Sequence, residues 1–353
     1  GWGNNASGQL GQNNKTKRSS PVQIPGDYKK LWTLSNSRAV AVSKNGSDAT
    51  GYDLWMWGNG SRGGLGINDT DQARSSPVQV GTDTTWKYVV GSPWARVASK
   101  TDGTLWAWGG NAESGGLGLN DRTNRSSPTQ VGTDTTWTGT MNMQASDSAH
   151  VFKTDGTLWT WGENSYGQLG VNTSIDYSSP VQLPGTYSVV KGASTGDVSF
   201  IKSGGTLWVV GRNSNGALGQ NNTTQYSSPV QVPGTTWNSA TTGYSATFCT
   251  KTDGTLWVWG QGLSGMLGLN DEVKRSSPTQ LGTDTTWSNT FSVGRTSGAI
   301  KTDGTLWVWG ASPQGELGFN DTVSRSSPTQ VGTDTDWTKL LTSSWYANIF
   351  AGK

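Results

Sequence analysis

The chain has a single cysteine, Cys249, a single histidine, His150, and four methionines among its 353 residues. One cysteine excludes an internal disulfide and leaves no framework from which to read a redox compartment. One histidine excludes a metal site built on histidines. Charged residues are 14% of the chain and the formal net charge is +2, so neither a basic nucleic-acid stripe nor an acidic tail is indicated. No apolar run reaches the roughly 18 residues that a membrane span needs, and no segment sustains a helical apolar period. What is abundant is glycine, at 50 residues, and tryptophan, at 20. That is the composition of a turn-rich β protein with a core of large aromatics.

The decaresidue KTDGTLWVWG occupies positions 251–260 and recurs letter for letter at 301–310. Near copies end at Gly58, Gly109, Gly162 and Gly211, and the chain opens on the same Trp-Gly ending at Gly3. Two further signatures keep step with it. A G-x-L-G element ends at Gly11, Gly66, Gly118, Gly170, Gly219, Gly268 and Gly318, and a Ser-Ser-Pro follows each time. Most copies then carry a Gly-Thr-Asp-Thr-Thr-Trp or similar run. A fixed period of this length marks a repeat architecture and overrides local readings. The spacing predicts one array of seven units and a single domain over 1–353.

Within a unit, Thr-Leu-Trp-x-Trp is short, β-branched and aromatic, and it is bounded by glycine as a strand is. Asp-Gly before it signals a hairpin to the variable run upstream. A third strand is expected at Ser-Ser-Pro, with proline at a strand start or edge, and a fourth after Gly-Thr-Asp-Thr-Thr-Trp. Seven such sheets, none able to bury its own aromatic face, would stack around an axis. The expected fold is therefore all-β, a seven-bladed β-propeller of four-stranded blades. By the repeat register, Ala347–Lys353 falls on a first strand and the N-terminal Gly1 on the second strand of the same blade, so the ring is expected to close by pairing strands from the two ends. About four residues would be missing between them. With no initiator methionine or signal peptide, the chain reads as a processed product or a segment of something longer.

The combination of x-D-G-x-L-W-x-W-G, N-x-x-G-x-L-G and a proline-led strand resembles the regulator of chromosome condensation repeat family over all seven units. The resemblance implies a seven-bladed propeller. The near-verbatim RSSPTQVGTDTTW repeats are most similar in style to repeat proteins of bacteria and phages. Family members commonly carry a Gly-x-x-His-Ser run before the Asp-Gly turn. At that histidine position this chain has Arg38, Trp94, Asp147, Gly196, Ser245, Arg295 and Trp345. The family's guanine-nucleotide exchange activity on small GTPases is not expected from such a set.

Units that agree almost letter for letter in Lys-Thr-Asp-Gly-Thr-Leu-Trp disagree in the ten residues just before it. Such divergence predicts recognition loops rather than packing, because aromatics and arginine make effective anchors. The candidate binding rim is Arg38, Trp94, Arg96, Asp147, His150, Asp197, Tyr244, Arg295, Trp345 and Tyr346. The competing reading is loops that drifted after duplication. Asn-Asp pairs such as Asn120-Asp121 are read as turn chemistry rather than calcium ligands. The G-x-L-G glycines are not phosphate loops, since no lysine-serine or helix follows. Cys249 reads as a small buried strand residue, and the strand tryptophans as core. The insertion at 46–52 reads as a flexible loop, with a partner-wedging hairpin as the alternative. No catalytic constellation, cofactor or metal site is expected. The function expected is a non-enzymatic propeller on a virion or bacterial surface, extracellular, that meets a host-surface glycan or protein or a neighbouring subunit. It would involve no nucleic acid and no membrane insertion. A secreted protein-binding inhibitor and a GTPase exchange factor are the alternatives.

Overall fold

The computed structural model describes residues 5–17, 23–32, 34, 39–70, 72–144, 146–192, 196–243, 245–313, 315–337, 339–342 and 349–352. Among them, secondary structure is strand, turn and two short 3-10 turns, at Ser61–Gly63 and Leu263–Gly265. No helix among the described residues is long and apolar enough to cross a membrane.

The chain divides into two compact units. The first comprises 1–164 and 175–184 and holds three antiparallel sheets. One runs Lys30–Trp32, Ala39–Ser43, Trp55–Gly58, Arg74–Gln79. Another runs Trp86–Gly91, Ala95–Lys100, Leu105–Gly109, Arg125–Gln130, and the third Trp137–Met143, Ala149–Lys153, Thr157–Gly162, Tyr177–Thr186. The second unit comprises 165–174 and 185–353. Its sheets begin at Val189–Gly192, Trp237–Thr242 and Trp287–Val293, each again of four strands, and Lys339–Thr342 pairs with Ile349–Gly352. Six repeats thus form sheets with the expected four strands. The seventh unit and the expected closure involve residues 1–4, which lie outside the described residues.

Two expectations need correction. The strand that follows Gly-Thr-Asp-Thr-Thr-Trp does not complete the sheet before it. Trp86–Gly91 pairs with Ala95–Lys100, with Trp86 opposite Lys100, so this strand opens the next sheet. A turn of three residues to its successor closes a local hairpin, whereas the Asp-Thr-Thr run carries the chain from one sheet to the next. The insertion at 46–52 is also not a loose loop. Gly46–Ser47 and Gly51–Tyr52 form a small hairpin that adds to the first strand of the second sheet, with Tyr52 opposite Trp86. Asp48 anchors it by accepting from Lys30 Nζ at 2.5 Å and from the Tyr52 hydroxyl at 3.0 Å.

The Asp-Gly hairpin forms as its chemistry predicts. The Asp102 carboxylate accepts from the Thr104 amide at 2.9 Å and from its hydroxyl at 2.7 Å, and the same pair recurs at Asp253 and Asp303. Prolines such as Pro77 sit in the outermost strand, where the ladder slips register between Met56 and Gly58, and a missing N–H there leaves no neighbour without a partner.

Successive sheets within each unit are joined by glycine and indole. Trp57, Trp161, Trp259 and Trp309 are fully buried. They donate their indole N–H to the carbonyls of Gln9, Gly116, Ala217 and Met266 in the preceding G-x-L-G loops, at 2.7 to 3.0 Å. The closing glycine of each loop lies flat against the ring. A Cβ on Gly219 would stand 2.9 Å from Trp259 Nε1, and one on Gly118 would stand 2.8 Å from Trp161 Nε1. One step further along, an asparagine with positive φ donates its amide to the outer strand of the next sheet, as Asn68 does to Ser126 and Asn221 to Ser276.

A lysine closes the opposite end of each sheet. Lys100 Nζ stands 3.7 Å from the Trp106 ring centre and 4.7 Å from that of Trp86, and it pairs with Asp83. Lys153 and Lys301 repeat the arrangement, each over two indoles and each 2.5 Å from an aspartate, Asp134 and Asp284. Lysine and the neighbouring threonine hydroxyl hold Asp134 and Asp284 down at about 2, against the burial that opposes them.

Two stability predictions follow from these contacts. Gly219 (φ +68°) touches the indole, whereas Gly282 (φ +60°) has nothing within 4 Å of a built Cβ. Both alanine variants carry the left-handed cost of about 1–2 kcal/mol, so Gly219→Ala should lose at least about 1 kcal/mol more than Gly282→Ala in urea denaturation. Equal losses would show that the indole contact is not constraining. Because the folded pKa of Asp284 is depressed, its contribution is present at neutral pH and disappears as pH falls from about 4 towards 2. Asp284→Asn should cost about 1 kcal/mol at pH 7, after allowing for screening at a partly exposed pair, and only a small fraction of that at pH 2.

Candidate functional site

The position just before the second strand does the same backbone work in four of the sheets. The carbonyls of Trp94, Gly196, Ser245 and Arg295 accept the amides of Gly110, Arg212, Gln261 and Ala311, at 2.8 to 3.0 Å. These donors follow the Trp-Gly or Val-Gly that ends the third strand. A role carried by the carbonyl does not select a side chain, which is the physical reason that these positions vary while their neighbours repeat.

The structure separates the predicted rim residues. Arg38, Tyr244, Trp345 and Tyr346 lie outside the described residues. Arg295 is exposed and Trp94 half-buried, as a rim requires. Arg96, Asp147, His150 and Asp197 are buried and are corrected here. The variable run is mostly the second strand of the sheet, not a loop, and that strand is buried on both of its faces, while Asp147, in the turn before its strand, is buried as well. His150 stands in the ladder between Asn142 and Thr160, and Asp197 stands opposite Gly211.

Arg96 and Asp147 instead form a buried polar node in the first unit. The Arg96 guanidinium donates to the carbonyls of Ser92 at 2.6 Å and Ala95 at 2.8 Å. Gly91 makes room for it, since a Cβ there would lie 2.6 Å from Arg96 Cδ. The Ser92 hydroxyl donates to the Asp147 carboxylate and also accepts the Ala95 amide at 2.9 Å. Burial raises Asp147 to about 6, against the Ser92 hydrogen bond and the nearby Arg96 and Arg62 charges, and Glu113 adds to the rise. Burial also lowers Arg96, to about 10, which still leaves it charged at neutral pH.

Above this node the surface carries arginine on aromatic rings. The Arg62 guanidinium lies 4.3 Å from the centre of the Trp94 ring and donates to Glu113 at 2.9 Å. In the second unit Arg212 lies 5.0 Å from the centre of Tyr166. Arg62, Glu113, Tyr166 and Arg212 were missed by sequence reasoning. The signal was present, because the few residues between Trp-Gly and G-x-L-G vary among repeats as freely as the predicted rim does.

Cys249 is fully buried, and burial pushes its thiol well up, so it is a packing residue. Among the described residues no group of three histidine, cysteine, aspartate or glutamate side chains could hold a metal ion. The Asn-Asp turns are structural: Asn120 and Asn270 have positive φ, and Asp121 and Asp271 pair with Arg125 and Arg275.

Four-stranded sheets docked through glycine loops and indoles, with variable turns at the strand ends, define an all-β repeat protein of the propeller class. The regulator of chromosome condensation (RCC1) repeat matches residues 1–44, 155–200, 204–250 and 303–342, and the chain belongs to that family. The ultraviolet-B receptor UVR8 of Arabidopsis thaliana is 32% identical over 191 residues, covering 52% of this chain and 40% of the receptor. The chain thus spans less than half the length of that relative. Prp20p from Saccharomyces cerevisiae, described with its binding properties to Gsp1p and histones, aligns with a TM-score of 0.73 at 16% identity, over 94% of this chain and 85% of that one. Human WBSCR16 aligns with a TM-score of 0.76 at 16% identity, over 96% and 94% of the two chains. At such identities what is shared is the fold.

The buried carboxyl has a measurable consequence. Its folded pKa is raised, so between about pH 4 and 6 the folded state keeps a proton that the unfolded chain releases, and stability from this group falls as pH rises through that window. Asp147→Asn removes the effect. Relative to the native chain, the variant should gain up to about 3 kcal/mol between pH 4 and pH 7.5, read as Tm at the two pH values. A difference that does not change with pH would show that Asp147 is ionised in the fold at ordinary carboxylate pH.

Proposed function

We propose that residues 1–353 act as one seven-bladed β-propeller that recognises another protein and carries out no catalysis. Its reading surfaces are the strand-end turns of each unit, together with the loops that carry Arg62 and Glu113 in the first unit and Tyr166 and Arg212 in the second. The observation that supports this most is the division of labour at the turn position, where the carbonyl is spent on the fold and the side chain is free to vary. Arginines stacked on half-buried aromatic rings, Arg62 on Trp94 in the first unit and Arg212 on Tyr166 in the second, are the residue types that dominate binding energy at protein interfaces. Family membership points the same way, since the similar Prp20p is described with its binding to Gsp1p and histones.

The near-verbatim repeat style favours display on a phage particle or bacterial surface, with a host-surface glycan or protein, or a neighbouring subunit, as the partner. That part of the proposal rests on the style alone. The second reading is nucleotide exchange on a small GTPase, favoured by the fold shared with the Gsp1p-binding Prp20p.

The test compares the native chain with a variant in which Arg62, Trp94, Arg212 and Arg295 are all replaced by serine. Both are applied to bacterial cells, a surface-glycan array and a GDP-loaded small GTPase. A native chain that binds one target, and a folded variant that binds it at least tenfold more weakly, is the expected result. Equal binding by the two would place recognition elsewhere on the molecule, and accelerated GDP release would establish the exchange reading instead.

A further inference from the structure

The lysine that closes each sheet does not always have its aspartate. Four units carry the connecting run Gly-Thr-Asp-Thr-Thr-Trp or its variant Gly-Thr-Asp-Thr-Asp-Trp, ending at Trp86, Trp137, Trp287 and Trp337. Three units shorten it around Pro-Gly and delete the carboxylate position, reading IPGDY, LPGTY and VPGTTW. In the first two a tyrosine hydroxyl fills the space beside the glycine: a Cβ on Gly26 would lie 3.2 Å from the Tyr28 hydroxyl, and one on Gly185 would lie 3.3 Å from that of Tyr187. In VPGTTW the short loop is combined with a tryptophan, Trp237.

Open space results at that unit. Lys251 stands over two indoles, 4.1 Å from the centre of Trp257 and 4.8 Å from that of Trp237, as Lys100 and Lys301 do over theirs. Among the described residues no carboxylate forms an ion pair with it. Asp253 feels its charge, but that carboxylate is held by the Thr255 amide and hydroxyl. The Trp237 indole N–H is buried and meets no acceptor among the described residues, a property it shares with Trp86, Trp137 and Trp287. What is particular to this unit is that both nitrogens lie near the space left by the shortened loop. The Cβ direction of Gly234 (φ +102°) leads to a spot 3.7 Å from Trp237 Nε1 and 4.0 Å from Lys251 Nζ. A pocket of about 340 Å³ opens there, lined by both indoles, Lys251, Asn221, Pro233 and Pro278.

The geometry points to a binding site in which Lys251, beside the Trp237 indole, receives from a partner peptide the acidic side chain that other repeats supply to their lysine from within as Asp83, Asp134 or Asp284. An ammonium on two indole faces with no internal carboxylate selects an anion. Indole and proline walls suit the methylene stem of a glutamate or aspartate, and the volume exceeds that of a bare inorganic anion. This inference rests on the protein-binding reading above but uses a different part of the molecule, away from the strand-end turns.

The experiment is titration calorimetry at pH 7 with a blocked hexaglutamate peptide, alongside the indole 15N–1H spectrum of the chain labelled in tryptophan, with the Trp237 signal assigned by Trp237→Phe. Hexaglutamine, sodium glutarate and inorganic phosphate are the comparison ligands. Hexaglutamate should bind and move the Trp237 signal, and hexaglutamine should do neither. Lys251→Met should weaken binding at least tenfold. So should exchange of Pro233-Gly234-Thr235 for Gly-Thr-Asp-Thr, which restores an internal carboxylate and keeps the lysine. Lys301→Met, in a unit that has its own aspartate, should leave the affinity unchanged. An affinity indifferent to Lys251→Met, or equal binding of hexaglutamine, would overturn the site. Phosphate or glutarate binding as tightly as the peptide would overturn the peptide assignment. The serine variants at the strand-end turns should bind hexaglutamate like the native chain, so a failure here and a failure of the turn surface are told apart.

Discussion

Each indole that ends a third strand needs, in the loop before it, a residue with no Cβ. The rest of the molecule is arranged around that contact. The ring of Trp259 lies on Gly219 and donates to the Ala217 carbonyl, and a single methyl group at the glycine would occupy the space of the ring nitrogen. The G-x-L-G element is therefore a joint. Its leucine is buried beside the indole, as Leu218 is beside Trp259, its glycine accepts the ring face, and its carbonyl takes the ring proton. An interaction that meets hydrophobic burial, close packing and hydrogen bonding with one pair of residues tolerates little change, so it recurs at Trp57, Trp161, Trp259 and Trp309, while Trp108 keeps the contact with Gly66 and its N–H meets no acceptor among the described residues. Where the first sheet of the second unit carries Val210 in place of the indole, the hydrogen bond has no donor, and close packing of apolar groups is what that joint retains.

The repeat pattern made most of this fold legible. Strand identity, the Asp-Gly hairpin, the edge prolines and the aromatic core all follow from local chemistry that sequence displays directly. What was misread was the phase of the sheet. Trp86–Gly91 is separated from Arg125–Gln130 of its own sheet by two other strands, and from the preceding Arg74–Gln79 by a short connection. Short connections join this strand both to Arg74–Gln79 before it and to Ala95–Lys100 after it, and the pairing of Trp86 with Lys100 decides which sheet it enters. The hairpin at 46–52 was misread for a related reason. Its glycine and serine content describes a flexible linker, and the contacts that fold it come from Lys30 and Trp86, far away in sequence.

The candidate site was legible as variability but not as geometry. Variation alone cannot distinguish a side chain that faces solvent from one whose neighbours have adjusted to it. Trp94 and Asp147 hold the same turn position, yet the indole lies half-exposed under Arg62, while the carboxyl is buried against Ser92 and beside Gly116. Arg96 is buried in a second strand because Gly91 leaves room for its stem. Such pairwise accommodations are invisible in a single unit's text, and a comparison of units registers them as noise.

The same comparison becomes informative when the variation is the loss of one partner from a set otherwise kept. Lysine over two indoles with an aspartate is a closed arrangement, in which an ammonium on aromatic faces is neutralised by an acceptor from the same chain. Removing the aspartate while keeping lysine and both rings leaves a buried face of positive potential whose cheapest completion is an anion from outside. Deletion of the loop residue with insertion of Pro-Gly goes further, because it removes the backbone that would have filled the space. Tyrosine fills that gap in two units by placing a hydroxyl beside the glycine, whereas at Gly234 the nearest atom is the Trp237 ring nitrogen at 3.7 Å, which can only donate. A recognition site can thus arise in a repeat protein by subtraction, with the fold's own packing set left one acceptor short.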